Sequence, residues 1–409
     1  MPDPYEVKAA AGKGLGVFAT KLIKPGDIIM HDAAKMKLHR GTNDVSTQQV
    51  QDAFSGLSKA DRKAFLKLHE GPVEYETRNM KIYKANSFSY AGFSVLYLKF
   101  SRVNHACMPN AEMTELDDEK DSKMVALETI GEGEEVLISY VGLLQDGSRE
   151  DRRRFTKGAY GFVCECHVCC LTGTEGDLSD ARRTIYAALA SRRAGMEPAK
   201  YEWIDNGSAE DGRKGKILGR VERRLKVPLT EREKTAYAFL TAKLLEAEGW
   251  QTRQISDAYV HAAMGMLAQI NEQKGVVVVE AARLLMAWLE ASVGAMRAVR
   301  SKSSKDLKEL EQFLKDVKQQ DIIQTCGPFL TESGRMLKIP GSPIDATKIF
   351  AIDGRGDGYF LTRGECLDVL RAGYRRAGVG VAMTAIAAWD TGRMAELNQV
   401  LGWNAFGNP

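Results

Sequence analysis

Short apolar runs punctuated by glycine and proline fill the first part of the chain, and longer runs at helical spacing fill the rest. Tyr5-Glu6-Val7-Lys8, Gly16-Val17-Phe18-Ala19 and Asp27-Ile28-Ile29-Met30 read as short strands, split by a glycine-rich turn and by Lys24-Pro25-Gly26. Between residues 45 and 70, Phe54, Leu57, Phe65, Leu66 and Leu68 stand among polar residues, which predicts two short amphipathic helices. Lys81 to Tyr90 is polar and aromatic by turns and reads as a half-buried strand with Asn86 facing outward. Met124-Val125-Ala126-Leu127, the turn Gly131-Glu132-Gly133-Glu134 and the run Glu135 to Tyr140 predict two further strands, with Val136 and Ile138 facing the core.

Beyond a small polar joint at Gly173 to Asp177 the pattern becomes mainly helical. Helices are expected over Ser179 to Ala194, then from a capping-box start at Thr230-Glu231-Arg232-Glu233 to Gly249-Trp250. Ser256 to Asn271, Val276 to Arg300 and the charged stretch Ser304 to Gln320 continue the alternation of helix and short turn. Arg213 to Lys226 carries seven basic residues against one acidic, a run that is usually a solvated helix face and less often a binding patch. Pro340 to Gly358 reads as an exposed loop, and Val381 to Trp403 as an apolar helix with an aromatic tail. Trp203, Trp250, Trp288, Trp389 and Trp403 are expected in the core or in grooves.

Composition narrows the class. A chain of 409 residues with 44% hydrophobic and 27% charged residues is globular, with room for two to three domains. No apolar run approaches the ~20 residues of a membrane span, and no signal-peptide pattern opens the chain, which points to an intracellular protein, nuclear or cytoplasmic. The net charge of +3 is too small to argue for direct nucleic-acid binding. Seven cysteines, four of them crowded into residues 164–170, suit reduced thiols and a metal site better than a disulfide framework.

The candidate chemistry centres on Phe100-Ser101-Arg102-Val103-Asn104-His105-Ala106-Cys107-Met108-Pro109-Asn110. An amide, an imidazole, a thiol and a second amide sit on a turn stiffened by Pro109, and such side chains serve either local hydrogen bonds or a site. Gly12-Lys13-Gly14-Leu15-Gly16 is a hairpin turn able to admit a close ligand, but no helix start or Lys-Ser pair follows to make it a phosphate loop. Cys164, Cys166 and Cys169 have ligand-like spacing and supply three thiols, one short of a closed tetrahedral zinc site. The fourth ligand could be Cys107, Cys170 or His167.

In order and spacing, the segments Gly12 to Ala19, Asn104 to Asn110, Gly131 to Tyr140 and Gly161 to Cys169 resemble the SET-domain protein lysine methyltransferases, over roughly residues 5–170. The resemblance is to the SMYD-like branch, with an Asn-His-x-Cys-x-Pro-Asn turn and a Cys-x-Cys-x-x-Cys post-SET segment. The insert at about 40–80 is shorter than in that branch and lacks the paired cysteines of a MYND zinc finger, and Ala106 stands where Ser is commoner. The resemblance implies an α+β fold: a SET-domain β-fold with a pseudoknot over 1–150, a zinc-bound post-SET segment over 151–172, and an α-helical, loosely tetratricopeptide-like domain over 173–409 that walls one side of a peptide groove. It implies S-adenosylmethionine-dependent N-methylation of a protein lysine, histone or non-histone, with a catalytically inactive SET-fold interaction module as the alternative. Lys13, Gly14, Leu15, Asn86, Ser101, Asn104, His105 and Tyr140 would bind the cofactor, with Phe162 over its adenine. Tyr140 and Phe88 would form the catalytic channel, and Cys107, Cys164, Cys166 and Cys169 would hold a structural zinc.

Overall fold

The structure is a computed structural model that describes residues 3–320 apart from 40–44, 91, 116–120, 142–146, 197–199, 206–215, 222–223, 226–227, 230, 273–277 and 302–303. The expected loop 340–358, the helix 381–403 and Trp389 and Trp403 lie outside the described residues, as do Arg213 and Thr230. The chain divides into two compact units, the first comprising 1–145, 149–171 and 201–221 and the second the remainder.

In the first unit β1 (Tyr5–Ala10) and β2 (Gly14–Ala19) form a hairpin. Its turn needs glycine at both Gly12 (φ 71°) and Gly14 (φ 78°), a left-handed conformation that a Cβ would penalise. After β3 (Ile28–Ala33) and β4 (Met36–His39) come the expected helices α1 (Thr47–Gly56) and α2 (Lys59–Phe65). Ser46 opens α1 with a full capping box, its Oγ accepting from Gln49 N–H while the Gln49 side chain accepts from Ser46 N–H. A third helix, α3 (Arg78–Asn86), replaces the first half of the strand expected over 81–90, and only β5 (Ser87–Tyr90) is extended. Tertiary burial explains the difference: Met80, Ile82, Tyr83 and Asn86 are all buried, a helical spacing that the alternation of polar and aromatic residues concealed.

β6 (Phe93–Leu96), β7 (Asn104–His105), β8 (Ala111–Glu115), β9 (Asp121–Ala126) and β10 (Glu135–Ile138) complete three sheets, ordered β1-β2-β10-β7, β3-β9-β8 and β4-β6-β5. β7 and β10 pair in parallel, Leu137 opposite Asn104 and Ile138 opposite His105, while the other pairs are antiparallel. A parallel pair demands a crossover, and β8 and β9 supply it. Val17, Ile29, Met30, Val95, Phe100, Val103, Met124, Val136 and Ile138 make the core beneath. α4 (Arg149–Tyr160), a helix the sequence pattern did not announce, and the short α5 (His167–Cys170) carry the cysteine-rich segment.

The second unit holds α6 (Gly173–Arg193), α7 (Glu231–Ala247), α8 (Arg253–Glu272), α9 (Val278–Val299) and α10 (Lys305–Lys318), each packed on the next. Two expectations change. The polar joint at 173–177 is the first turn of α6, and the basic run expected as a helix face includes β12 (Lys216–Val221), which pairs with β11 (Lys200–Asp205). Residues 201–221 belong to the first unit, although they lie in the region expected to be mainly helical. α7 ends as its sequence signals: Gly249 has φ 75°, its N–H donates to Glu246 O, and Trp250 N–H donates to Leu245 O at 3.0 Å, the paired bonds of a Schellman cap. Trp250 and Trp288 are buried.

Candidate functional site

The central turn is laced to β10 by its backbone and by Asn110. Ala106 N–H donates to Ile138 O at 2.9 Å, Asn110 Nδ2 donates to Glu135 O at 2.9 Å, and Asn110 Oδ1 accepts from Leu137 N–H at 2.7 Å. The Asn110 carboxamide thus acts on β10 as an extra strand would, satisfying one carbonyl and one amide. Ala106 is buried and the turn is intact around it. The approach to the turn is anchored on Asp32, whose buried carboxylate accepts from Lys99 N–H (2.5 Å) and Phe100 N–H (3.2 Å). Burial pushes its carboxyl above the ordinary value against the pull of those two bonds.

At the end of β10, Tyr140 N–H donates to His105 Nδ1 at 3.0 Å, and Tyr140 Oη donates to Val103 O at 2.5 Å. Burial first, then the charges of Tyr160 and Glu135, hold the phenol well above its ordinary value, so it is neutral. Its proton is committed to Val103 O, which leaves the oxygen's lone pairs to accept from an incoming donor. The ring stands 5.0 Å from Tyr160 and 5.3 Å from His105, and Phe162 lies 6.0 Å from His105 and 6.3 Å from Tyr160. Phe162 keeps 36% of its surface exposed beside this cluster. Tyr160, its phenol pushed up to about 12 by burial, closes α4 before Gly161 turns the chain at φ 83°. It was missed in the sequence; its position four residues ahead of Cys164 in Ala-Tyr-Gly-Phe was the available signal.

The other expected residues fall into place unevenly. Asn104 Nδ2 donates to Leu15 O (3.0 Å) and to Glu135 Oε1 (2.7 Å), joining the hairpin turn to the central turn, and Lys13 Nζ pairs with Glu135 Oε2 at 2.6 Å. A Cβ at Gly14 would meet nothing within 4 Å, so the turn is open above that residue. Asn86, the last residue of α3, donates through Nδ2 to His69 O (2.8 Å) and Ile82 O (2.7 Å), and Ser101 Oγ donates to Asn86 O at 3.1 Å and to Tyr97 O. The Asn86 amide donors are therefore engaged within the fold. Phe88 packs edge-on against Tyr97 (5.8 Å) and Phe100 (6.5 Å), as a half-buried ring over the core.

Four sulfurs, those of Cys107, Cys164, Cys166 and Cys169, lie within 4.8 Å of one another. Cys170 is exposed, its thiol donating to Glu165 O at 3.3 Å, and His167 is exposed as well; neither belongs to this group. α4 grips the segment: Arg153 Nε donates to Cys164 O at 3.1 Å, and Arg149 donates to Leu171 O. Cys107 N–H donates to Cys166 Sγ at 3.4 Å, and the crowded neighbours, Cys107 first, drive the Cys166 thiol far below its ordinary value. Burial lowers His105 to about 4, so the imidazole is neutral; with Nδ1 accepting from Tyr140, its proton sits on Nε2, 3.3 Å from Cys107 Sγ. A thiol quartet with an N–H aimed at one sulfur is the donor set and outer support that a tetrahedral zinc requires.

The sequence matches the SET domain family over residues 14–141, from the second glycine of the hairpin turn to the residue after Tyr140. Residues 14–141 are a SET domain. The chain is 37% identical over 87 residues to "Protein-lysine N-trimethyltransferase SMYD5" of Danio rerio, 21% of each chain. It is 27% identical over 181 residues to "Histone-lysine N-methyltransferase set5" of Schizosaccharomyces pombe, 44% of this chain and 54% of that one. With "Histone-lysine N-methyltransferase SET5" of Saccharomyces cerevisiae it shares 30% identity over 151 residues, 37% of this chain and 26% of the relative. The chain thus spans between a fifth and about half of the length of the curated relatives it matches. Lys13 precedes the matched segment by one residue, and the Asn104–Asn110 turn and Tyr140 fall inside it. Among the described residues no helix is long and apolar enough to cross a membrane.

Proposed function

We propose that this chain is an S-adenosylmethionine-dependent protein-lysine N-methyltransferase whose reacting centre is Tyr140 and whose post-SET cysteines hold a structural zinc. The observation that carries the reading is the Tyr140 hydroxyl, donating to Val103 O at the end of β10 inside a SET domain, with its lone pairs left to receive the N–H of a lysine amine. S-adenosylmethionine supplies the methyl group as part of a sulfonium, and the protein's share of the work is to hold the amine in line with it and unprotonated.

Free lysine has a pKa near 10.4, so the amine must lose its proton before it can act as a nucleophile. The half-buried rings of Tyr140 and Tyr160 and the buried ring of His105 offer a desolvating surface that disfavours the ammonium. Neutral Tyr140 accepts from the amine and orients its lone pair. Backbone groups of Lys13, Gly14 and Leu15 and the Asn104–His105 turn receive the cofactor, with the exposed face of Phe162 against the adenine. Leu15 and Phe162 keep 45% and 36% of their surface exposed, apolar faces suited to a flat heteroaromatic ligand. Cys107, Cys164, Cys166 and Cys169 would hold zinc, which pins the arm bearing Tyr160 and Phe162 to the central turn. The substrate class is a protein lysine, histone or non-histone, in keeping with the names of the relatives, and the protein would act inside the cell.

S-adenosylhomocysteine should raise the melting temperature of the zinc-loaded protein by mass action on the native state, about 2.7 kcal/mol at a hundredfold excess over Kd. Transfer of radiolabelled methyl to protein lysine should accompany it. An absence of any shift at millimolar ligand with zinc in place would leave the SET fold as an interaction module without catalysis.

A further inference from the structure

We infer that Glu135 is a positioning residue that sets which face the Asn104 carboxamide shows to the cofactor, and so builds a receptor for the cofactor's α-ammonium. The inference rests on the proposed use of S-adenosylmethionine. Asn104 Nδ2 lies 2.7 Å from Glu135 Oε1 and 3.0 Å from Leu15 O, two acceptors with no proton of their own. With the carboxamide flipped, its oxygen would face both, an acceptor against acceptors, so only the Nδ2 orientation is tenable. Both amide protons are then engaged, and Oδ1 is turned away from the carboxylate and from the hairpin carbonyl. What the residue offers outward is an acceptor, suited to a cationic donor.

Glu135 can hold this arrangement because it is itself held. Its second oxygen pairs with Lys13 at 2.6 Å, its side chain is only 16% exposed, and its backbone is paired to β2 opposite Phe18 and capped by Asn110. The close passage is visible at Gly16, where a Cβ would come within 2.6 Å of Glu135 Oε1 and 2.9 Å of Asn104 Nδ2. The glycine is therefore required by the carboxylate–amide contact beside it. Glu135→Gln keeps the shape and removes the logic: with its oxygen on Lys13, the new amide points N–H groups at Asn104, so the carboxamide loses one of the two acceptors that fix its orientation and meets a donor in its place.

The test is calorimetric titration of the full zinc-loaded chain with S-adenosylhomocysteine and with its analogue lacking the α-amino group. Wild type should prefer the amine-bearing ligand by about tenfold or more, the worth of a hydrogen bond to a charged group. Glu135→Gln should lose most of that preference while binding the deaminated analogue within about threefold of wild type. Its zinc content and ligand-free melting temperature report whether it folds. Should it not fold, Glu135→Asp, which keeps the charge but withdraws it by one methylene, should show the same loss of preference. An unchanged preference, or an equal weakening of both ligands, overturns the positioning role. A wild type that binds S-adenosylhomocysteine without any amine preference overturns it too and leaves the methyltransferase reading standing; a wild type that binds neither ligand removes both.

Discussion

The Tyr140 hydroxyl carries two duties, one structural and one proposed. It donates to Val103 O at 2.5 Å, tying the end of β10 to the start of the central turn, and its lone pairs are the feature on which the catalytic reading stands. Tyr140→Phe should therefore cost about 1–2 kcal/mol in stability, because a buried carbonyl loses its donor. Single-turnover methyl transfer should fall by roughly 10²-fold or more, within the range of a positioned orienting group, with S-adenosylhomocysteine affinity within a few-fold. Equilibrium denaturation, ligand titration and a single-turnover assay on the variant measure the three effects separately. An undiminished rate would move the centre to Tyr160, whose ring stands 5.0 Å away.

At the scale of elements, the helical unit depends on one buried carboxylate. Glu248, at the C-terminal end of α7, pairs with Arg183 (2.6 Å) and Arg182 (2.8 Å) of α6 and accepts from Ser179, while Arg183 lies over the Trp250 ring at 4.7 Å. Burial alone would raise its carboxyl, but the charges of Arg183 and Arg182 and the hydrogen bonds from Ser179 and Arg182 outweigh burial and hold it below its ordinary value of 4.5. A depressed carboxylate stabilises the fold fully above its unfolded value, and the contribution is lost as pH falls through the folded one. Far-UV circular dichroism of the melting transition should show helical stability steady from neutrality down to about pH 5 and falling below it. Glu248→Ala should abolish much of that dependence and cost about 3–5 kcal/mol, since it removes the carboxylate from the buried Arg183 guanidinium and from the half-buried Arg182.

At the scale of the molecule, the thiol quartet joins chain segments far apart in sequence, Cys107 from the central turn and the others from the arm beyond α4. A metal that closes such a loop contributes its binding energy to folding. The purified protein should hold about one zinc per chain. Cys107→Ser should lose the metal and lower the melting temperature, as chelation of the native protein should. Metal analysis beside a thermal melt checks both, and full zinc in Cys107→Ser would show the ligand set to be different. Because His105 bonds to both Cys107 Sγ and Tyr140 N–H, loss of the metal should also weaken S-adenosylhomocysteine binding.

Much of this protein is legible in its sequence wherever the signal is local. Strand-length apolar runs bounded by glycine and proline, the Gly249 stop of α7 and the Cys-x-Cys-x-x-Cys spacing each depend on a few neighbouring residues, and each appears where the pattern puts it. Tertiary structure decided the rest. Residues 78–86 are helical because burial of Met80, Ile82 and Tyr83 outweighs a strand-like alternation, and residues 201–221 join the first unit although helices flank them in sequence. The company kept by the polar side chains was likewise hidden: Asn110 on β10, Glu135 between Lys13 and Asn104, and Tyr160 against Tyr140. Hydrogen bonds and ring contacts act over a few ångströms in space, not over a few residues of chain, and only the folded chain brings residue 135 to 13 and 104, and residue 160 to 140, within that reach.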